Sequence, residues 1–156
     1  MENQVKLRER LDSTSYLYLE HFGPGDDLLS LKLEVVEGLV ESRQMKGTIR
    51  SSETGPIDTH EKVVEVVTEN SSPIEIRLES KRFAITFDRY LAFCTRDETY
   101  VNPEESEDFT KKLRSYKKSK FLDFVESTTW WWDEETSLSH HAVVCLNAVV
   151  DIVCAG

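Results

Sequence analysis

The stretch from Val143 to Cys154 is apolar on both alternating faces, and no other part of the sequence constrains the fold so strongly. Val144, Leu146, Ala148, Val150 and Ile152 would line one face of an extended chain, with Asn147 and Asp151 among the residues on the other. A strand apolar on both faces belongs in the middle of a sheet, covered from both sides. The apolar run from Ala142 to Ala155 is too short to cross a bilayer as a helix. The rest of the chain must therefore supply neighbouring strands and a cover.

Those neighbours are legible upstream. Leu29, Leu31, Leu33 and Val35 alternate with Ser30, Lys32 and Glu34, the period of a half-buried strand. Gly23-Pro24-Gly25 separates them from the aromatic-rich Tyr16–Phe22, which predicts an antiparallel pair. Val63–Thr68 is β-branched. Ile74, Ile76 and Leu78 alternate with charged residues after a turn at 70–73, and Lys81-Arg82 marks a further turn. Phe83, Ile85, Phe87, Leu91 and Phe93 fall on one face of a long strand through Thr95, which makes 63–95 a three-stranded meander. Leu113–Tyr116 reads as a short strand.

Two helices are expected. The Leu7/Leu11 spacing fits a short one over 2–12. The clear one lies near 120–128, where Ser119 is a good N-cap. Phe121, Leu122 and Val125 would face inward there, with Asp123 and Glu126 outward. A polar loop occupies 41–60, too short to separate a pair of stable domains. The expectation is one α+β domain over 1–156, β-rich and mostly antiparallel. No pattern fixes an oligomeric state.

Charge narrows the function. The chain carries 29 acidic and 19 basic residues, a net charge of −10. It repels nucleic acid and anionic membrane as a whole, so direct nucleic-acid binding is not expected, and neither is a membrane role. The charges are also segregated. Asp97–Asp108 holds six acidic side chains and no basic one; Lys111–Lys120 holds six basic and no acidic one. The basic block, with Tyr116 inside it, has the ingredients of a single-strand binding site, but flanking carboxylates offset its field within a Debye length of about 8 Å. Pairing between the two blocks is the simpler expectation.

Catalytic signatures are missing. Cys94, Cys145 and Cys154 are odd in number, widely spaced and set in apolar stretches, which points to buried free thiols in a reducing compartment. The sequence MENQVKLRER has no apolar core for a secretory signal, and a cytoplasmic protein is expected. His141 and Cys145 would share a strand face about 13 Å apart, too far for a dyad. Adjacent His140 and His141 point to opposite faces and do not converge on one metal ion. One imidazole should be buried and one exposed. No phosphate-loop or nucleophile-elbow motif occurs. No catalytic residue, metal or cofactor is assigned.

Trp130-Trp131-Trp132 is followed by Asp133-Glu134-Glu135. In a strand Trp131 would face away from its two neighbours, which leaves at least one indole at the surface unless a loop covers all three. Trp is enriched at the energetic centre of interfaces. The predicted contact face is Asp97, Glu98, Glu104, Glu105, Glu107, Asp108, Trp131, Asp133, Glu134 and Glu135.

Three segments of the second half, Phe93–Tyr100, Ser119–Glu126 and Val144–Asp151, resemble a diffuse group of small acidic bacterial proteins, some of them immunity proteins that neutralise secreted toxins. The resemblance implies a strand, an acidic connection, a short helix and a last strand, and a cytoplasmic inhibitor of a basic toxin or nuclease. Two alternatives stand beside it. The acidic surface would serve equally as a nucleic-acid mimic against a DNA- or RNA-binding effector. A small hydrolase with a cryptic acid–base pair is the alternative of a different class, and it requires a pocket near His140, Cys145 or the acidic block.

Overall fold

The computed structural model describes residues 2–27, 29–40, 72–100, 102, 108–130 and 136–156. The expected strand at Val63–Thr68 and the polar loop at 41–60 lie outside these residues. The fold is α+β and β-rich; the described residues form two four-stranded antiparallel sheets and two α-helices.

In the first sheet β1 (Tyr16–Pro24) forms the expected antiparallel pair with β2 (Leu31–Val40), but the turn lies later than predicted: Gly23 and Pro24 are still in β1, opposite Lys32 and Leu31, and the chain leaves the strand at Gly25. β2 also pairs with β4 (Arg82–Phe87) and, at its far end, with the two-residue β3 (Ile74–Glu75). Gly38 makes that end possible, because a Cβ there would stand 2.7 Å from the Ile74 side chain and 2.9 Å from the Tyr18 ring. The second sheet runs β5 (Tyr90–Arg96), β8 (Ala148–Ala155), β7 (Leu138–Cys145), β6 (Leu113–Tyr116).

One core joins the sheets. Leu17, Leu31, Leu33, Val35, Phe83, Ile85 and Phe87 of the first meet Leu113, Val143, Cys145, Val150, Ile152 and Cys154 of the second. Helix α1 (Glu2–Asp12) adds the fully buried Leu11. Helix α2 (Lys120–Thr128) covers the opposite face of the second sheet, where Leu122 and Val125 pack on Val153. Ser119 caps α2 as expected: its hydroxyl accepts the Leu122 N–H at 3.0 Å.

Three further expectations are corrected. The closing apolar run is a hairpin, not one strand: β7 and β8 meet at Leu146-Asn147, and both are interior strands of their sheet. Asn147 is the reason for the break. Its side-chain amide accepts the Leu19 N–H at 2.9 Å and donates to the Leu19 carbonyl at 3.0 Å, docking the hairpin tip on β1. Nor is 83–95 one strand. At Asp88-Arg89 the chain turns from one sheet into the other, with Arg89 in the left-handed region at φ 48°. The Tyr90 N–H then bonds the Leu29 carbonyl, and the Arg89 carbonyl accepts from Ala155. Phe83, Ile85 and Phe87 are core residues, whereas Leu91 and Phe93 are exposed. Finally, the alternation at 74–78 does not make a long strand: Ile76 and Leu78 are exposed, and the turn precedes Lys81. The meander is replaced by strands shared between two sheets.

Candidate functional site

A chain of side chains runs through the layer between the second sheet and α2. Asp151 in β8, a carboxylate in the most apolar strand, is buried and fully engaged. Its Oδ1 lies 3.0 Å from His140 Nε2. Its Oδ2 accepts from Arg96 Nε at 2.9 Å and Nη2 at 2.8 Å, and the Cys94 thiol approaches it at 3.9 Å. His140 Nδ1 in turn lies 2.7 Å from Ser119 Oγ. Strand pairing sets this up: Cys94 is opposite Asp151 in the β5/β8 register, and His140 is opposite Val153 in β7/β8. One donor scheme suits every atom. The hydroxyl of Ser119 donates to Nδ1 while accepting from Leu122, and Nε2–H of His140 donates to Asp151. Tyr116 stacks on the imidazole at 4.5 Å and Phe121 meets it edge-on at 5.4 Å.

Above this chain lies an open groove of about 330 Å³. Cys94, Arg96 and Asn102 line one side, Lys120, Phe121 and Phe124 the other, with Tyr116, His140 and Asp151 at its base. The order Ser–His–Asp resembles a nucleophilic triad, but the parts are arranged for structure. Ser119 is 3% exposed, does not line the groove, and already caps α2. A thiol nucleophile fares no better. Burial, with Asp151 adding to it, pushes Cys94 up to about 11, so it is a neutral thiol near pH 7. Burial likewise raises Cys145 to about 12 and Cys154 to about 11. All three cysteines are free thiols, the first half-buried and the other two buried. Of the expected buried and exposed imidazoles only the first is found: His140 is buried, and His141 is half-buried rather than exposed. Among the described residues no three His, Cys, Asp or Glu side chains converge as metal ligands.

Of the predicted contact face, Asp97, Glu98 and Asp108 are described, and all three are exposed. Asp97 and Glu98 follow β5 beside Arg96 and open a single 3-10 turn at Glu98–Tyr100; the Asp97 carboxylate accepts the Thr99 N–H. Asp108 lines a different groove, with Asp12 and Lys111 against α1, and bonds to Thr110 hold its carboxyl below the usual range. Glu104, Glu105, Glu107, Trp131, Asp133, Glu134 and Glu135 lie outside the described residues. Trp130, which the strand argument did not single out, is 79% exposed.

The basic block divides. Lys111 bridges to Asp12 of α1 at 3.2 Å, outside the acidic block it was expected to pair with. Arg114 lies over the Phe109 ring at 5.2 Å. Tyr116 is buried against His140, so it offers no free face for a nucleobase. Lys117, Lys118 and Lys120 are exposed.

Sequence reasoning missed the Ser119–His140–Asp151–Arg96 chain. A signal for it exists: a lone Asp in an apolar strand must find partners, since a buried unpaired carboxylate is too costly to keep. No family model matches the chain, and no curated protein or solved structure matches it either.

Proposed function

We propose that this protein is a cytoplasmic binding module of the immunity or antitoxin type, which neutralises a basic toxin or nuclease through an acidic, aromatic-bearing surface. The observation that carries the reading is the outer side of α2 and its C-terminal end. Phe124 is 59% exposed and Trp130 is 79% exposed, and between them stand the exposed carboxylate Glu126 and, one residue before Phe124, Asp123. Large aromatics left at a surface are candidate anchors, and a surrounding carboxylate field speeds the approach of a cationic partner. Asp97 and Glu98 extend the field from β5. Free, weakly acidic thiols suit a reducing compartment. Among the described residues no helix is long and apolar enough to cross a membrane.

The test is capture of a basic effector from the same host, followed by association rates across ionic strength. The rate should fall steeply with salt. Trp130→Ala should weaken binding by about 30-fold, the effect of losing an anchor of about 2 kcal/mol. An association rate indifferent to salt, with Trp130→Ala binding like the parent, would reject the reading. Competition by duplex DNA for the captured effector would instead favour the nucleic-acid mimic.

A hydrolase reading has one observation in its favour: the groove reaches His140, and a hydroxyl and a carboxylate flank that imidazole. It requires Ser119 to leave its cap. A fluorophosphonate probe should then label Ser119; an unlabelled protein removes this reading.

A further inference from the structure

An acidic capture surface leaves the basic block without a role, and the structure gives half of that block a distinct place. Its first half is structural, since Lys111 pairs with Asp12 and Arg114 packs on Phe109. Its second half is the turn from β6 into α2. Lys117 and Lys118 are exposed, and neither has an ion-pair partner among the described residues. Tyr116 before them and Lys120 two residues after them line the groove above His140, although Lys117 and Lys118 themselves do not. From the opposite side comes Arg96, distant in sequence. Asp151 engages its Nε and Nη2, and Nη1 has no partner among the described residues. Two cationic side chains, Arg96 and Lys120, thus line one groove in a protein whose net charge is −10. The walls between them are aromatic, with Phe121 and the half-exposed Phe124 facing the opening.

We propose that this groove is a binding site for a small anion carried on a planar ring, an aryl phosphate or aryl carboxylate, with the ring against Phe121 and Phe124 and the anionic group toward Arg96 and Lys120. The volume supports a ligand of this size: about 330 Å³ is at the lower end for small-molecule sites and holds one ring system. Guanidinium and ammonium groups are the donors that recognise phosphate and carboxylate. A polymer is disfavoured, because Tyr116 is not free to stack and the acidic surroundings repel a long polyanion. The site shares Phe124 with the acidic capture surface but not its carboxylates or Trp130, so loss of Cys94 protection and loss of effector capture are separate outcomes.

Cys94 gives a direct readout, because it lines the groove and is the most accessible thiol. The full-length protein is treated with N-ethylmaleimide at mildly alkaline pH, and modification of each cysteine is followed by peptide mass mapping. Phenyl phosphate should slow the labelling of Cys94 and leave Cys145 and Cys154 unchanged. Inorganic phosphate and benzyl alcohol should each need about ten-fold higher concentration for the same protection, since each lacks one half of the ligand. Neutralising the exposed lysines together (Lys117→Gln, Lys118→Gln, Lys120→Gln) should weaken protection by about ten-fold or more, and Phe124→Ala by a similar factor. Both variants change exposed positions, and their urea midpoints confirm that they fold. Equal labelling with and without millimolar phenyl phosphate would overturn the proposal, as would unchanged protection in the lysine variant. A single-stranded oligonucleotide that protects Cys94 at lower concentration than phenyl phosphate would overturn it too, in favour of a nucleic-acid site.

Discussion

Replacing Asp151 tests whether the buried chain holds α2 and the edge strand β5 to β7 and β8 of the second sheet. The carboxylate receives three nitrogen donors, two from Arg96 at 2.8 and 2.9 Å and one from His140 at 3.0 Å. Hydrogen bonds to a charged group contribute about 1.5–3 kcal/mol each. The Arg96 share is discounted, because its side chain is 41% exposed and water replaces some of what is lost. The His140 share is not, since both partners are buried. Removing one member of a buried pair costs about 3–5 kcal/mol, and Asp151→Ala should fall in that range. Asp151→Asn is a finer probe. Its amide must turn oxygen toward Arg96, which only donates, and so presents NH₂ to His140 Nε2. The imidazole then has to carry its proton on Nδ1, which leaves the Ser119 hydroxyl hydrogen without its acceptor. We expect about 2–3 kcal/mol for this change. Urea denaturation reads both as a lower midpoint at unchanged slope; at about 1.5 kcal/mol/M, a 3 kcal/mol loss moves the midpoint by about 2 M. Asp151→Ala within about 0.5 kcal/mol of the parent would refute the reasoning, because surface changes alone have that size.

Acid should weaken the fold through His141. Burial lowers its pKa to about 4, with the Arg8 and His140 charges adding to the effect. Its folded value lies below the unfolded 6.5, so this stability is present above pH 6.5 and is lost as pH falls toward 4. After screening for its partial exposure the effect is about 1–2 kcal/mol, and His141→Gln should flatten the urea midpoint over that window. Asn147→Ala removes both bonds to Leu19 and should cost about 1–2 kcal/mol, with faster amide exchange at Leu19. Arg89→Gly relieves a left-handed backbone position and should raise thermal stability by about 0.5–1 kcal/mol; a loss would mean that the Arg89 side chain itself holds the corner.

Local rules located several elements. Ser119 and the 121/122/125 spacing define α2 at its observed bounds, because an N-cap and an amphipathic face are short-range properties. The Leu113–Tyr116 strand and the β1/β2 antiparallel pair follow for the same reason. The errors fall where a strand changes partner. Nothing local distinguishes a twelve-residue strand from a hairpin at Leu146-Asn147, because Asn147 acts on Leu19, far off in sequence. The same holds at Asp88-Arg89, where the apolar period continues but the two halves join different sheets. In the candidate groove, Lys120 and Phe121 were legible as the start of a helix. Arg96 and Asp151 were not legible as partners, since only the β5/β8 register brings them together.

Composition and pattern alone determine a β-rich α+β protein with one clear helix at 120–128, free thiols at Cys145 and Cys154 that are buried, and a strongly negative charge. Those properties depend on counts and on periods of two or 3.6 residues. Tertiary structure alone decides that the apolar runs form two stacked sheets, that Asp151 joins His140 and Arg96, and that Lys120 and Arg96 line one groove. Each of these depends on which strands become neighbours, and that is settled by competition among apolar faces over the whole chain.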